Sequence, residues 1–426
     1  MLNVRRHSSR STPVPARNIL FAFLVLHLQG PFFSILLAQV PSPVQHADAV
    51  VDLSESEEDL IKLVDYQRHL SKRLDRYAEL DALIWWAGDS ELPELLTTSP
   101  GGTALANAGL LGNASTSVLH GNETIGDWPH VGLRLRLGRY FRRSVPSRIE
   151  LGLWTLFQGQ DRFNASSSGG DPILTRPFFN TAASAQDAQV LSFPGIADGR
   201  FDSEYQRQAA GLEPLLFVCL WNSGCNWLEF FSGYRLLWLK DEITLREDVT
   251  LTPGGLIAPG TRFAVEDNFQ AENFYHLLPL GLSWSGNRGK WNWNLRGEIG
   301  VGFVAHRIRI RGQTDSFIGD TLTGSEPAGL LALGTNSGTH TKNRFAWVPQ
   351  LAFSGRRSLT DSLSLNVGYT LIYLDDAVQA ANHIPTSIDP GNIPPVTPGA
   401  GASPSFAYTN DSILMHGINF GLRYGF

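Results

Sequence analysis

From residue 77 to the end of the chain, apolar and polar side chains take turns at every second position. The last segment shows the pattern most plainly. Leu414, His416, Ile418, Phe420, Leu422, Tyr424 and Phe426 share one parity, and Ile413, Met415, Gly417, Asn419, Gly421, Arg423 and Gly425 share the other. A strand sends successive side chains to opposite faces, so this segment presents one apolar face and one small, polar face. Ten such segments are predicted: 77–87, 130–141, 148–158, 199–220, 226–247, 268–285, 290–311, 344–354, 362–374 and 412–426. Their connectors alternate strictly. Short links fall at 142–147, 221–224, 286–289 and 355–361, and long ones at 88–129, 159–198, 248–267, 312–343 and 375–411. The long links are rich in Gly, Pro, Ser, Asn and Thr. Compact soluble domains rarely carry five such loops. Tight turns on one rim and long loops on the other are the habit of membrane barrels. The predicted fold class is therefore all-β: a transmembrane, antiparallel, up-and-down β-barrel of ten strands, or twelve if a long loop hides a hairpin.

The two parities differ in more than hydropathy. Val131, Leu133, Leu135 and Leu137 lie on the face predicted to meet lipid, as do Phe345, Trp347, Leu351 and Phe353. Charged residues keep to the opposite face. Glu79, Asp81, Arg134, Arg136, Arg148, Glu150 and Arg207 are candidates to line the lumen, together with Glu213, Glu229, Arg235, Arg296, Glu298, Arg344 and Arg423. An Arg or Lys facing lipid near the midplane costs about 2–4 kcal/mol, which accounts for the segregation. Every base in this set is arginine, whose planar fork pairs with carboxylates through two parallel hydrogen bonds. Barrels of about eight strands are filled by side chains and those of sixteen or more hold open channels. Ten strands therefore predict a constricted lumen, either packed with salt bridges or selectively lined. Closure of the ring is expected to set Arg423 beside Glu79 and Asp81. Aromatic residues gather near strand ends, at Trp85, Trp86, Tyr140, Phe141, Trp227, Trp238, Trp284, Trp291, Trp293, Tyr373 and Tyr424, where interfacial girdles are expected.

The N-terminal region has a different character. Four arginines, Arg5, Arg6, Arg10 and Arg17, precede the apolar stretch 19–28, a combination that predicts an export signal over residues 1–38 with cleavage as late as Ala49. No acid lies before Ala38, so removal of those four arginines takes the formal charge from −6 to −10. An acidic mature chain argues against a nucleic-acid partner. Residues 39–76 are predicted to form a periplasmic linker and an amphipathic helix, with Leu60, Leu63, Leu70 and Leu74 on one face. The two cysteines, Cys219 and Cys225, flank a predicted turn and share the inward parity. A disulfide stapling that rim and a pair of free thiols are the two outcomes open to them. Outward-facing Tyr424 and Phe426 are expected to act as a C-terminal assembly signal.

Catalytic motifs are scarce. Gly300 to Gly302 lies within a strand and has no helix after it to cradle phosphate. No Gly-x-Ser-x-Gly elbow is present. His306, His340 and His383 lack metal-ligand spacing, so neither a metal nor a cofactor is expected. Asp241, Asp267, Asp375, Asp376 and His306 sit at predicted strand tops, and a hydrolytic site there is a third-ranked expectation.

Several stretches resemble the β-barrel porin family seven, a planctomycete-type family of outer-membrane proteins. They are Ile84-Trp-Trp-Ala87 with Leu96-Thr-Thr-Ser-Pro100, Ile173-Leu-Thr-Arg-Pro-Phe-Phe-Asn180, Phe193-Pro-Gly195 and Ser232-Gly-Tyr-Arg-Leu236. Gly329-Leu-Leu-Ala-Leu-Gly334, Asn343-Arg-Phe-Ala-Trp-Val-Pro349, Val367-Gly-Tyr369 and Gly417-Ile-Asn-Phe-Gly-Leu422 continue the likeness. It runs from about residue 79 to the end and is weakest in the loop 375–411. The resemblance implies an outer-membrane barrel of porin type with no catalytic residues to carry over. The leading expectation is a non-enzymatic porin that passes small solutes through a narrow Arg/Glu-lined lumen. A non-conducting barrel that anchors long surface loops is the alternative. Expected partners are outer-membrane lipid, the barrel-assembly machinery acting on the last strand, and small solutes.

Overall fold

A computed structural model describes residues 5–6, 75–141, 146–253, 258–397 and 400–426. Ten strands in it form a closed ring: β1 (Arg76–Trp86), β2 (His130–Phe141), β3 (Ser147–Ser167), β4 (Ala197–Asn222), β5 (Asn226–Gly233, resumed after Tyr234 as Arg235–Leu251), β6 (Thr261–Arg288), β7 (Trp291–Ile318), β8 (Gly338–Ser358), β9 (Leu363–Ala377) and β10 (Asp411–Gly425). Each pairs antiparallel with its neighbours in sequence. The ring closes where β10 pairs with β1, from Tyr77 opposite Gly425 to Trp86 opposite His416. Through the lower barrel, closure gives every strand a paired neighbour on both edges.

Outward residues of the lower barrel form a continuous apolar belt, including Leu133, Leu151, Leu280, Ile299, Leu351 and Phe420, all exposed. On β6 the belt runs from Trp284 to Phe274, about the ten residues that a tilted strand needs to cross a bilayer. The strands then continue unequally. β6 and β7 have 28 residues each and β4 has 26, whereas β1 has 11, β2 has 12, and β9 and β10 have 15 each. Their short-turn ends are level, so the surplus rises as a tall wall on one side of the long-loop rim.

The tall wall explains why the sequence predicts strands that stop too early. Residues 268–285 were expected where the strand spans Thr261–Arg288, and 148–158 where it spans Ser147–Ser167. Above the belt the outward parity turns ionic, as in Arg307–Glu272 at 3.3 Å and Arg246–Glu266 at 2.8 Å. The inward parity there is apolar instead, with Phe163, Phe201, Ile243, Phe269 and Ile308 all buried. The hydropathy contrast inverts at that height, and with it the cue for a membrane strand.

The long loops pack against this inverted face. Ile173–Asn180 pairs with Ala185–Ser192 and with Leu96–Ser99, which also pairs with Ser117–His120. Leu95, Leu96, Leu174, Phe178, Leu330, Leu333 and Val378 join the wall residues in one buried cluster. The loops, predicted to be irregular, therefore build a folded cap. Their strands are short, and Leu96–Ser99 and Ile173–Asn180 are buried on both faces over most of their length, which erases the period-two signal.

The export signal and the amphipathic helix lie outside the described residues, apart from the two-residue strand Arg5–Arg6 and residues 75–76, of which Arg76 begins β1. Trp85, Tyr140 and Trp227 face the interior and do not join an outer girdle: Trp85 is buried and the other two line a cavity at the short-turn end. Cys219 and Cys225 are free thiols, so the disulfide is not formed. Cys219 lies opposite Glu229, not Cys225, because the turn is centred between Asn222 and its partner Trp227, which leaves Cys225 inside the turn.

Candidate functional site: the barrel interior

Three layers fill the lumen. The lowest is ionic. Asp81 accepts two hydrogen bonds from Arg134, at 2.9 and 2.7 Å. Glu79 meets Arg136 at 2.6 Å, Arg356 at 3.0 Å and Arg423 at 3.9 Å. Glu150 accepts from Tyr77 Oη at 2.5 Å, Arg148 at 2.7 Å and Arg296 at 3.0 Å. Glu150 belongs to β3 and Arg296 to β7, four places apart in a ring of ten, so this contact crosses the lumen. Arg148 also reaches Glu229 at 3.0 Å. Arg235 sits between Glu213, at 3.2 Å, and Glu298. Two inward phenylalanines support the lattice. Phe217 stacks on Phe231 with centroids 4.8 Å apart, and the Arg148 guanidinium lies 3.5 Å above the Phe217 ring. Glycine makes room for the larger groups: a Cβ at Gly138 would fall 2.1 Å from the Tyr77 ring.

The middle layer is apolar. Leu83, Trp85, Trp154, Leu156, Ala209, Leu237, Leu239, Tyr275, Leu277, Val304, Val348, Ile372 and Met415 form one buried cluster to which nine of the ten strands contribute. Trp85 and Trp154 meet with centroids 5.2 Å apart. The Trp85 indole donates to Asn419 Oδ1 at 2.7 Å, which satisfies its one polar atom. A layer of this kind excludes water because nothing in it repays desolvation of a solute or an ion.

The upper layer is a loop plug. The segment after β9, residues 378–384, folds into the mouth with Val378, Ala380 and Ala381 buried. Asn273 clamps it from β6, donating to the Val378 carbonyl at 2.9 Å and accepting from the Val378 amide at 2.8 Å. Arg207 donates to the carbonyls of Ala87 and Gly88 and to Asp241, each at 2.9 Å. Gln379 meets Ser90, which ties the β1 and β9 loops together. His306 donates through Nε2 to the Asp376 carbonyl at 2.7 Å, leaving Nδ1 to accept from the Tyr408 hydroxyl.

Among the predicted lumen residues, Glu79, Asp81, Arg134, Arg136, Arg148, Glu150, Glu213, Glu229, Arg235, Arg296, Glu298 and Arg423 meet in the ionic layer. Arg207 lies higher, under the plug. Arg344 stands at the rim with its side chain 42% exposed and paired to Asp376. Sequence reasoning missed Arg356, because residue 356 fell in a predicted turn, whereas β8 runs on to Ser358. Its parity with Arg344 was the available signal. Of the residues named for a hydrolytic site, three have structural partners, and His306 meets the backbone of Asp376. Asp241 holds Arg207, Asp267 accepts from the amides of Leu331 and Ala332 at 3.2 and 2.8 Å, and His306 holds the plug. Among the described residues, no group of three or more His, Cys, Asp or Glu side chains is placed to hold a metal.

In the cap, Arg176 and Glu247 form a buried pair that Gln189 joins at 3.3 Å. Burial pushes the Glu247 carboxyl up to about 7, with Arg176 pulling the other way. A carboxyl raised on folding binds its proton more tightly in the folded state. Its contribution is complete below the ordinary carboxylate pKa and is lost as pH rises through about 7. Limited proteolysis of residues 173–192 is therefore expected to be faster at pH 8 than at pH 5, and Glu247→Gln should flatten that difference. Equal cleavage at both pH values in the native sequence would refute the assignment.

The model of a family described as putative beta barrel porin-7 matches residues 77–426. The chain belongs to that family. Solved structures similar to this porin-7 member include the outer membrane protease OmpT from Escherichia coli, at 9% identity and a TM-score of 0.34, covering 82% of this chain and 96% of that one. A bacterial polysaccharide outer membrane secretin aligns at 8% identity and a TM-score of 0.17, covering 82% and 98%. Neither superposition is close enough to carry a functional argument. No curated protein matches.

Proposed function

We propose that this porin-7 member is a closed outer-membrane barrel that anchors and displays a folded outer cap. Family membership and the apolar belt support placement in the outer membrane, with lipid around the lower barrel and the cap on the cell exterior. The observation that carries the reading is the sealed lumen. An apolar layer contributed by nine strands lies between the cross-lumen Arg296–Glu150 contact and the plug pinned by Asn273 and Arg207. Simple passive passage would require all three to be absent from one continuous path. The tall wall, meanwhile, devotes much of its length to cap packing, which a plain pore does not need. In this reading the last strand, with Tyr424 and Phe426 outward at the short-turn edge, is the segment that the assembly machinery engages.

Ion flux across proteoliposomes tests the proposal. Native protein should pass no more ions than empty vesicles, and replacing residues 378–384 by a Gly/Ser linker should leave flux low, because the apolar layer remains. Combining that change with Trp85→Gly, Trp154→Gly and Arg296→Ala, which also removes the cross-lumen contact, should raise it. High flux through the native protein would refute the reading. A gated passage is the second reading, favoured by a polar cavity of about 320 Å³ at the short-turn end.

A further inference from the structure

We propose that the cavity at the short-turn end is a blind anion-binding vestibule that takes a small polyvalent oxyanion, phosphate or carboxylate, from the periplasmic side. It encloses about 320 Å³, and turn residues such as Gly289, Ser358 and Ser362 form its rim. Its ceiling is the Glu150–Arg296 contact, so a ligand entering here goes no further.

Charge balance carries the inference. Seven basic side chains line the cavity against four carboxylates. The imbalance concentrates at one point, where Arg136, Arg356 and Arg423 all converge on the single carboxylate of Glu79. Arg136 takes the close contact. Arg423 is left at 3.9 Å, its guanidinium 3.5 Å above the Tyr77 ring and one amine 3.2 Å from the Tyr140 hydroxyl. Arg356 keeps a buried Nε with no hydrogen-bond partner. Two guanidiniums with donors to spare, held rigidly by stacking and by neighbouring strands, make a fork suited to a second oxyanion. Burying cationic groups without matching anions is costly, so a bound anion would recover part of that cost. Ser285 and Asn292 line the adjoining strands, with Asn292 directly beside Arg356 in the sheet, and can donate to the same ligand. The proposal does not depend on whether the barrel conducts.

The test is calorimetric titration of the full chain, refolded in detergent, with pyrophosphate in one arm and citrate in another. Resistance of the folded barrel to unfolding in cold SDS checks each variant. Binding is expected for at least one of the two anions, and the better one identifies phosphate or carboxylate chemistry. Arg423→Gln and Arg356→Gln should each weaken it about tenfold, the equivalent of one charge-assisted hydrogen bond. Glu79→Gln should strengthen it, because it removes the competing carboxylate. That opposite sign separates a site from general damage to the fold. Absence of binding to both anions at millimolar concentration would overturn the proposal. So would loss of affinity in Glu79→Gln of the same size as in the arginine variants.

Discussion

Glu150→Ala is expected to destabilise the barrel by about 3–5 kcal/mol, the usual result of stripping one partner from a buried ion pair. Glu150 accepts from Tyr77, Arg148 and Arg296 at once, and its removal leaves two guanidiniums without that counter-ion in the lower lumen. Arg148 retains Glu229, whereas Arg296 loses the cross-lumen contact just described. Glu150→Gln keeps the hydrogen-bond geometry without the charge and should cost less. Urea unfolding in lipid vesicles, followed by Trp fluorescence, measures both. The magnitude is decisive because exposed ion pairs are worth about 0–1 kcal/mol. A loss under 1 kcal/mol would mean that water fills this lumen and that the lattice is not a packed core.

Leu280→Arg is the second large effect, with an expected cost of about 2–4 kcal/mol in the same assay. Leu280 faces outward near the middle of the belt on β6, between Trp284 and Phe274, and is 45% exposed in the isolated chain. Gln270→Arg is the control. Residue 270 shares the parity of Leu280 but lies above the belt, opposite Glu242 on β5, where a new charge should be nearly neutral. Equal costs at the two positions would mean that no hydrocarbon surrounds residue 280.

The membrane-level barrel was largely legible in the sequence. Ten strands, the short–long alternation of their links and the inward parity of Glu79, Arg134, Glu150 and Arg296 follow from period two alone. Arg423 was expected beside Glu79 and Asp81; it reaches Glu79, while Gly421 stands opposite Asp81. What period two hides is anything governed by depth. Trp85 and Trp154 share inward parity with charged residues, and no one-dimensional pattern reveals that they lie at the same height as Leu237 and Val348 across the ring. The plug was equally hidden. Asn273 and Val378 are 105 residues apart, and their pairing depends on a loop turning back into the mouth. Above the belt the pattern inverts, so Phe201 and Phe269 carry the cap core where a membrane reading expects polar lining. The cap's own strands are too short to show a period.

The most direct test of a sealed lumen is single-channel recording of the purified full-length protein in a planar bilayer, with insertion verified by protease protection of the embedded barrel. Native protein is predicted to insert without discrete conductance steps, and steps should appear once the plug residues 378–384, the indoles of Trp85 and Trp154 and the Arg296 guanidinium are removed together. Regular steps from the unmodified protein at low voltage would contradict the account, because no path through the three layers would then have been closed.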